Sequence, residues 1–177
     1  MVQEHILTNN ILKHLDRNTI LTDCQHGFRA RRSCDTQLLS LKHELAISLD
    51  SGIQQDLIIL YFSKAFDKVP HQRLSKLNFD GIRGTTLSWI KAFLSDRSQQ
   101  VSVDGATSVD CGVPQGTVLD PFLFLIFIND LPECLTSRNC LFADDAIIYR
   151  EIRRDQDCDE LQTDLLALAK WEKHWGM

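Results

Sequence analysis

Leu141-Phe142-Ala143-Asp144-Asp145-Ala146-Ile147-Ile148-Tyr149 sets two adjacent aspartates between apolar runs too short for helices. The pattern predicts a strand, a tight turn holding Asp144 and Asp145, and a returning strand. Two carboxylates at one hairpin tip repel each other. That cost is tolerated most naturally against a divalent cation such as Mg²⁺, which prefers oxygen ligands. A plain Asp-rich turn accounts for the same residues, because Asp accepts turn geometry by bonding to nearby backbone. The flanking segments decide between the two readings.

Downstream, Cys158, Leu161, Leu165, Leu168 and Trp175 follow helical spacing, which predicts a helix over 155–175. Upstream, residues 119–131 are apolar on nearly all sides and predict a helix deep in the core. Before it lies the loop Gly112-Val113-Pro114-Gln115-Gly116, rich in punctuating residues. Residues 99–103 alternate like a strand ahead of the turn signal Asp104-Gly105. Residues 85–94 predict a helix burying Leu87, Ile90, Phe93 and Leu94, and Pro70-His71 opens another helical stretch. Leu57-Ile58-Ile59-Leu60-Tyr61-Phe62 is a continuous apolar run expected of a strand buried on both faces. Ser33 is a fitting N-cap for a helix with Cys34, Leu38, Leu41, Leu45 and Leu49 on one face, ended by Ser51-Gly52. Residues 25–33 read as a donor-rich, solvated loop, and residues 2–17 as a first amphipathic helix.

At 177 residues, the chain is long enough for one compact domain or for part of a larger one. The net charge of -5 argues against a protein held to nucleic acid by overall charge, but allows a local basic site such as Arg29, Arg31 and Arg32. Six scattered cysteines show neither a Cys-x-x-Cys pair nor zinc-ligand spacing, so they read as thiols in a reducing compartment. The N-terminus lacks the apolar core of a signal peptide, and the longest apolar run, 122–128, is too short to span a bilayer. An intracellular chain with no membrane contact is the expectation. No repeat or linker interrupts it, so a single unit over 1–177 is the economical reading.

Three segments share an order with a known family: Phe62-Ser63-Lys64-Ala65-Phe66-Asp67-Lys68-Val69-Pro70-His71, Gly112-Val113-Pro114-Gln115-Gly116-Thr117-Val118-Leu119, and Phe142-Ala143-Asp144-Asp145. Gln25-His26-Gly27-Phe28-Arg29 and Phe127-Ile128-Asn129-Asp130-Leu131-Pro132 add to the likeness. The chain resembles the reverse transcriptases of non-LTR (LINE-type) retrotransposons over nearly its whole length. The resemblance implies an α+β fingers-palm portion of such a polymerase, with a small antiparallel palm sheet packed against helices. Residues 1–56 would be fingers-like and 57–177 palm-like.

The implied activity is RNA-directed DNA synthesis from an RNA template, a DNA primer and deoxynucleoside triphosphates, by two-metal catalysis with Mg²⁺ or alternatively Mn²⁺. Asp144 and Asp145 match the family's metal-binding pair. Phe66 matches the residue under the incoming sugar, and Gln115 and Gly116 the loop against nucleotide and template-primer. Arg29 matches a fingers residue near nucleic acid or nucleotide phosphates.

The departures matter equally. The family reads Leu-Asp-Phe-Ser-Lys-Ala-Phe-Asp where this chain has Leu60-Tyr61-Phe62, so Tyr61 stands in place of a third metal-binding aspartate. A phenol with a pKa of about 10 is neutral at pH 7 and a poor Mg²⁺ ligand. Asp67 is a weak substitute, since relatives carry an Asp there beside the ligand. Asp120 replaces a usual Gly, and the segments 74–81 and 108–112 look shortened. Parts expected of the fingers and thumb also fall outside the match. The expectation is an impaired polymerase. The rival is a non-catalytic nucleic-acid- or protein-binding remnant of a mobile element.

Overall fold

The computed structural model describes residues 2–69, 76–94 and 117–176. The expected helix opening at Pro70-His71, the strand at 99–103, the Asp104-Gly105 turn and the 112–116 loop lie outside the described residues. Two compact units form, one from 1–21, 64–127 and 176–177, the other from 22–63 and 128–175.

Among the described residues, the second unit is built on a three-stranded antiparallel sheet. Its strands are β1 (Gln54–Tyr61), β2 (Arg138–Phe142) and β3 (Asp145–Ile152), with β3 in the centre. Period-2 alternation sends Leu141, Ala146 and Ile148 to one face, where all three are buried. Helix α6 (Asp155–Trp175) packs against β3, with Leu161, Leu168 and Trp171 buried. Its ring of Trp171 lies 6.2 Å from that of Phe62, and its indole donates to Asp130 Oδ1 at 3.2 Å.

Helix α2 (Cys34–Asp50) begins where expected, with Ser33 and Thr36 forming a reciprocal capping box. Its packed face is not the leucine stripe. Gln37, Leu41 and Ser48 are buried, whereas Cys34, Leu38 and Leu49 are exposed. The reason is polar docking onto the sheet: Tyr149 Oη donates to Glu44 Oε2 at 2.8 Å, and Ser48 Oγ to Glu151 Oε1 at 2.9 Å. The reading of 57–62 as a strand buried on both faces is likewise corrected. Among the described residues β1 lies at the edge of the sheet, and its Ile59 and Tyr61 are 70% and 68% exposed.

The first unit holds α1 (Val2–Arg17), a 3₁₀ turn (Phe66–Lys68), α3 (Lys76–Phe79), α4 (Gly84–Leu94) and most of α5 (Asp120–Ile128). Its core contains Ile11, Leu15, Leu77, Ile90, Leu94 and the run 122–127, as the all-round apolar pattern predicted. His14 Nε2 and Asp80 O lie 2.8 Å apart, which joins α1 to the end of α3. Asp120 is the first residue of α5, where the helix dipole favours a carboxylate. Together the helices and the small antiparallel sheet make an α+β fold.

Candidate active site

β2 and β3 are joined through only Ala143 and Asp144, and Phe142 pairs with Asp145 to close the hairpin. Ala143, first of the two connecting residues, has φ of 54°, in the left-handed region that favours glycine. A residue with a Cβ is strained there, so something must hold it.

Gln25 does. Its buried amide oxygen accepts from Ala143 N at 3.0 Å and from Gly27 N at 2.7 Å, and its Nε2 donates to Ala143 O at 3.4 Å. The backbone on either side adds two bonds of 2.8 Å, from Leu141 N to Cys24 O and from His26 N to Leu141 O. A Cβ on Gly27 would stand 2.4 Å from Ala143 N, so glycine is required by close approach. Gln25 and Gly27 are therefore structural and buried, not part of the solvated loop that the polar composition predicted. Sequence reasoning noticed Gln25 within a family-like motif but assigned it no role. The Gln-x-Gly spacing was the available signal.

Tyr61 pairs directly with Asp145 across β1 and β3, and Phe62 N donates to Asp144 O at 3.3 Å. Directly opposed residues project to the same side of a sheet, so the phenol and the Asp145 carboxylate share a face. Tyr61, Asp144 and Asp145 are thus brought together. Burial first, and then the adjacent Asp144 charge, holds the Asp145 carboxyl above its ordinary range. Neither aspartate side chain has an ion pair among the described residues. Two uncompensated carboxylates beside each other are hard oxygen donors suited to a divalent cation. Among the described residues, no group of three or more His, Cys, Asp or Glu side chains is arranged to hold a metal.

Of the other expected residues, Arg29 and Phe66 are among those described. Arg29 belongs to the same unit, and its Nη1 donates to Thr22 O at 3.0 Å, holding the loop from which it springs. Arg32 supports that loop through Gln25 O at 3.1 Å and the Asp23 carboxylate at 2.5 Å. Phe66 lies in the other unit, stacked on Phe124 with centroids 4.4 Å apart. Asp67 contributes backbone to the 3₁₀ turn. Gln115 and Gly116 lie outside the described residues. Asn129, in another family-like motif, accepts from Thr22 N at 2.8 Å and anchors the start of the segment carrying Gln25.

The family model described as "Reverse transcriptase (RNA-dependent DNA polymerase)" matches residues 3–177. The chain belongs to the reverse transcriptase family. It is 29% identical over 97% of its length to the "Probable RNA-directed DNA polymerase from transposon BS" of Drosophila melanogaster, covering 20% of that protein. It is 26% identical over 99% of its length to the probable RNA-directed DNA polymerase from transposon X-element of the same species, again covering 20%. With the RNA-directed DNA polymerase from mobile element jockey of Drosophila funebris the identity is 28% over 98% of the chain and 20% of the relative. This reverse transcriptase domain is therefore of the non-LTR, LINE type, and it spans about a fifth of the length of these curated relatives. Among its described residues no helix is long and apolar enough to cross a membrane.

Proposed function

We propose that this chain is the fingers-palm part of an RNA-directed DNA polymerase, acting inside the cell on an RNA template, a DNA primer and deoxynucleoside triphosphates, and that Tyr61 impairs it. The observation that carries the reading is the pairing of Tyr61 with Asp145 beside Asp144. In this reading Asp144 and Asp145 would hold Mg²⁺ or Mn²⁺. Bound there, such ions would supply charge for a developing alkoxide and for the attacked phosphorus. The chain's own contribution is placement. Gln25 and Gly27 fix the turn, the sheet register presents Asp145 beside the end of β1, and Phe66, Gln115, Gly116 and Arg29 would meet nucleotide and template.

The phenol of Tyr61 supplies neither the charge nor the bidentate oxygens of the expected aspartate, so ions would be held by two carboxylates instead of three. Each 1.36 kcal/mol of lost transition-state stabilisation is about tenfold in rate, so loss of a shared ligand should cost several powers of ten. Primer extension on an RNA template with Mg²⁺ or Mn²⁺ tests this, comparing the chain with Tyr61→Asp. The variant should gain synthesis, and unmodified chain working as fast as the variant would refute impairment.

The same Tyr61 favours a second reading, a non-catalytic nucleic-acid-binding remnant retaining the palm as scaffold. A salt titration of template-primer binding separates the two. Binding that persists while Tyr61→Asp gives no synthesis supports the remnant, and no binding at low salt excludes it.

A further inference from the structure

The side chains of Cys24 and Cys140 take no part in the site above, yet both flank the backbone pairing that holds it. The segment at 24–26 runs parallel to β2, with Gln25 paired to Leu141 and both backbone bonds of that pairing at 2.8 Å. Cys24 and Cys140 each precede that bridged pair by one residue, and such positions on neighbouring parallel segments lie about 4.8 Å apart. A disulfide spans Cα separations of about 4.4–6.8 Å. Gln25 and Leu141 are buried, and the cysteines that precede them are both free, partly exposed thiols. Burial pushes the Cys140 thiol up, opposed by a hydrogen bond with Gln37 and reinforced by the charge of Cys24.

We propose that Cys24 and Cys140 form a dithiol site that small disulfides of the glutathione class convert into an intramolecular disulfide. The Cys24 thiolate attacks one sulfur of the small disulfide and displaces one thiolate, leaving a mixed disulfide on Cys24. The Cys140 thiolate then attacks the Cys24 sulfur and displaces the second small thiolate. Two protein thiols lose two electrons and two protons, and the small disulfide is reduced to two thiols. Cys140, the thiol held protonated by burial, suits the resolving step better than the first. Closure would rivet the segment carrying Gln25 and Gly27 to β2, next to the turn that holds Asp144. The site stands independently of the polymerase reading.

The test is incubation of the purified chain with glutathione disulfide, followed by acid quench, alkylation and peptide mapping by mass spectrometry. The expected result is a Cys24–Cys140 linked peptide and loss of two of the six alkylatable thiols, both reversed by dithiothreitol. Cys140→Ser should stop at one glutathione on Cys24, which traps the intermediate. In concentrated urea the linked peptide should give way to mixed pairings. The proposal is overturned if glutathione stays on both cysteines, if either pairs instead with another cysteine, if all six thiols survive, or if the pair forms equally well in urea.

Discussion

Gln25→Ala removes a side chain that reaches across to the aspartate turn. Its oxygen satisfies two backbone N–H groups, those of Gly27 at 2.7 Å and Ala143 at 3.0 Å, in a site where Gln25 is 2% exposed. A buried donor left without a partner costs about 1–3 kcal/mol, so two stranded donors imply about 2–6 kcal/mol. The 3.4 Å bond from Nε2 to Ala143 O is long and adds little. Water entering the vacated space would recover part of the loss, so about 3 kcal/mol is the expected effect. Urea unfolding followed by tryptophan fluorescence measures it, and hydrogen exchange at the Ala143 amide should accelerate in parallel. Gln25→Glu sharpens the test. The carboxylate keeps both accepted bonds but turns an oxygen and a buried charge toward Ala143 O. Its defect should therefore be largest at neutral pH and shrink in acid, where a protonated oxygen donates in place of Nε2. If Gln25→Ala unfolds within about 0.5 kcal/mol of the parent, the ordinary range of a surface change, the clamp is not what holds the turn.

Gly27→Ala and Gly52→Ala separate two reasons for glycine. The Gly27 Cβ would meet Ala143 N at 2.4 Å, whereas Gly52 has φ of 68° and open space around it. Gly27→Ala should cost about 2–3 kcal/mol by overpacking and Gly52→Ala about 1 kcal/mol by backbone strain. Equal losses in urea unfolding would contradict the close approach. Asp164→Asn removes a carboxylate that accepts from Thr136 N at 2.9 Å, Ser137 N at 2.7 Å and the Thr136 hydroxyl at 3.2 Å. Although burial raises the Asp164 carboxyl, these bonds outweigh it and hold the carboxyl below its ordinary range. Its stabilisation is then fully present above the unfolded value of about 3.9 and lost as pH falls through the lower folded value. The variant should lose about 2–3 kcal/mol at pH 7, with the gap closing only in strong acid. A gap unchanged by acid would deny the carboxylate its role. Asp145 has the opposite sign. Burial and Asp144 raise its folded value, so its ionised form opposes folding at neutral pH, and that penalty is relieved as pH falls through the raised value. Asp145→Asn should raise the urea midpoint at pH 7 and lose its advantage in acid. A lowered midpoint at neutral pH would show that the carboxylate is favourably held.

The parts of the fold legible in the sequence are those where one local signal suffices. The hairpin was readable because Asp144 and Asp145 interrupt two short apolar runs, and α5 because the run 122–128 has no polar face. Where packing set the answer, local pattern misled. The leucines at 38 and 49 mark a stripe, yet Glu44 and Ser48 bond to Tyr149 and Glu151 and turn a more polar face of α2 to the sheet. Residues 57–61 lie in a strand as expected, but an apolar run cannot state whether a second strand covers its edge. Gln25 was hidden for a similar reason. Its burial comes from pairing with Leu141, far along the chain, and no window around residues 25–33 contains that partner.

The site is the instructive intermediate case, because its motifs were visible but their juxtaposition is a matter of register. Burial of Leu141, Ala146 and Ile148 on the α6 side commits Asp145 to the opposite face, since a strand alternates with period 2. In the observed register Leu60 opposes Ala146 and Ile58 opposes Ile148, which leaves Tyr61 opposing Asp145. A slip of one residue would carry Asp145 toward the core side of the sheet, where an ionised carboxylate without a partner is strongly disfavoured. The core thus fixes which residue stands beside the aspartates. Whatever side chain the chain carries at position 61, carboxylate or phenol, is delivered to that place by Ala146 and Ile148, which do no chemistry themselves.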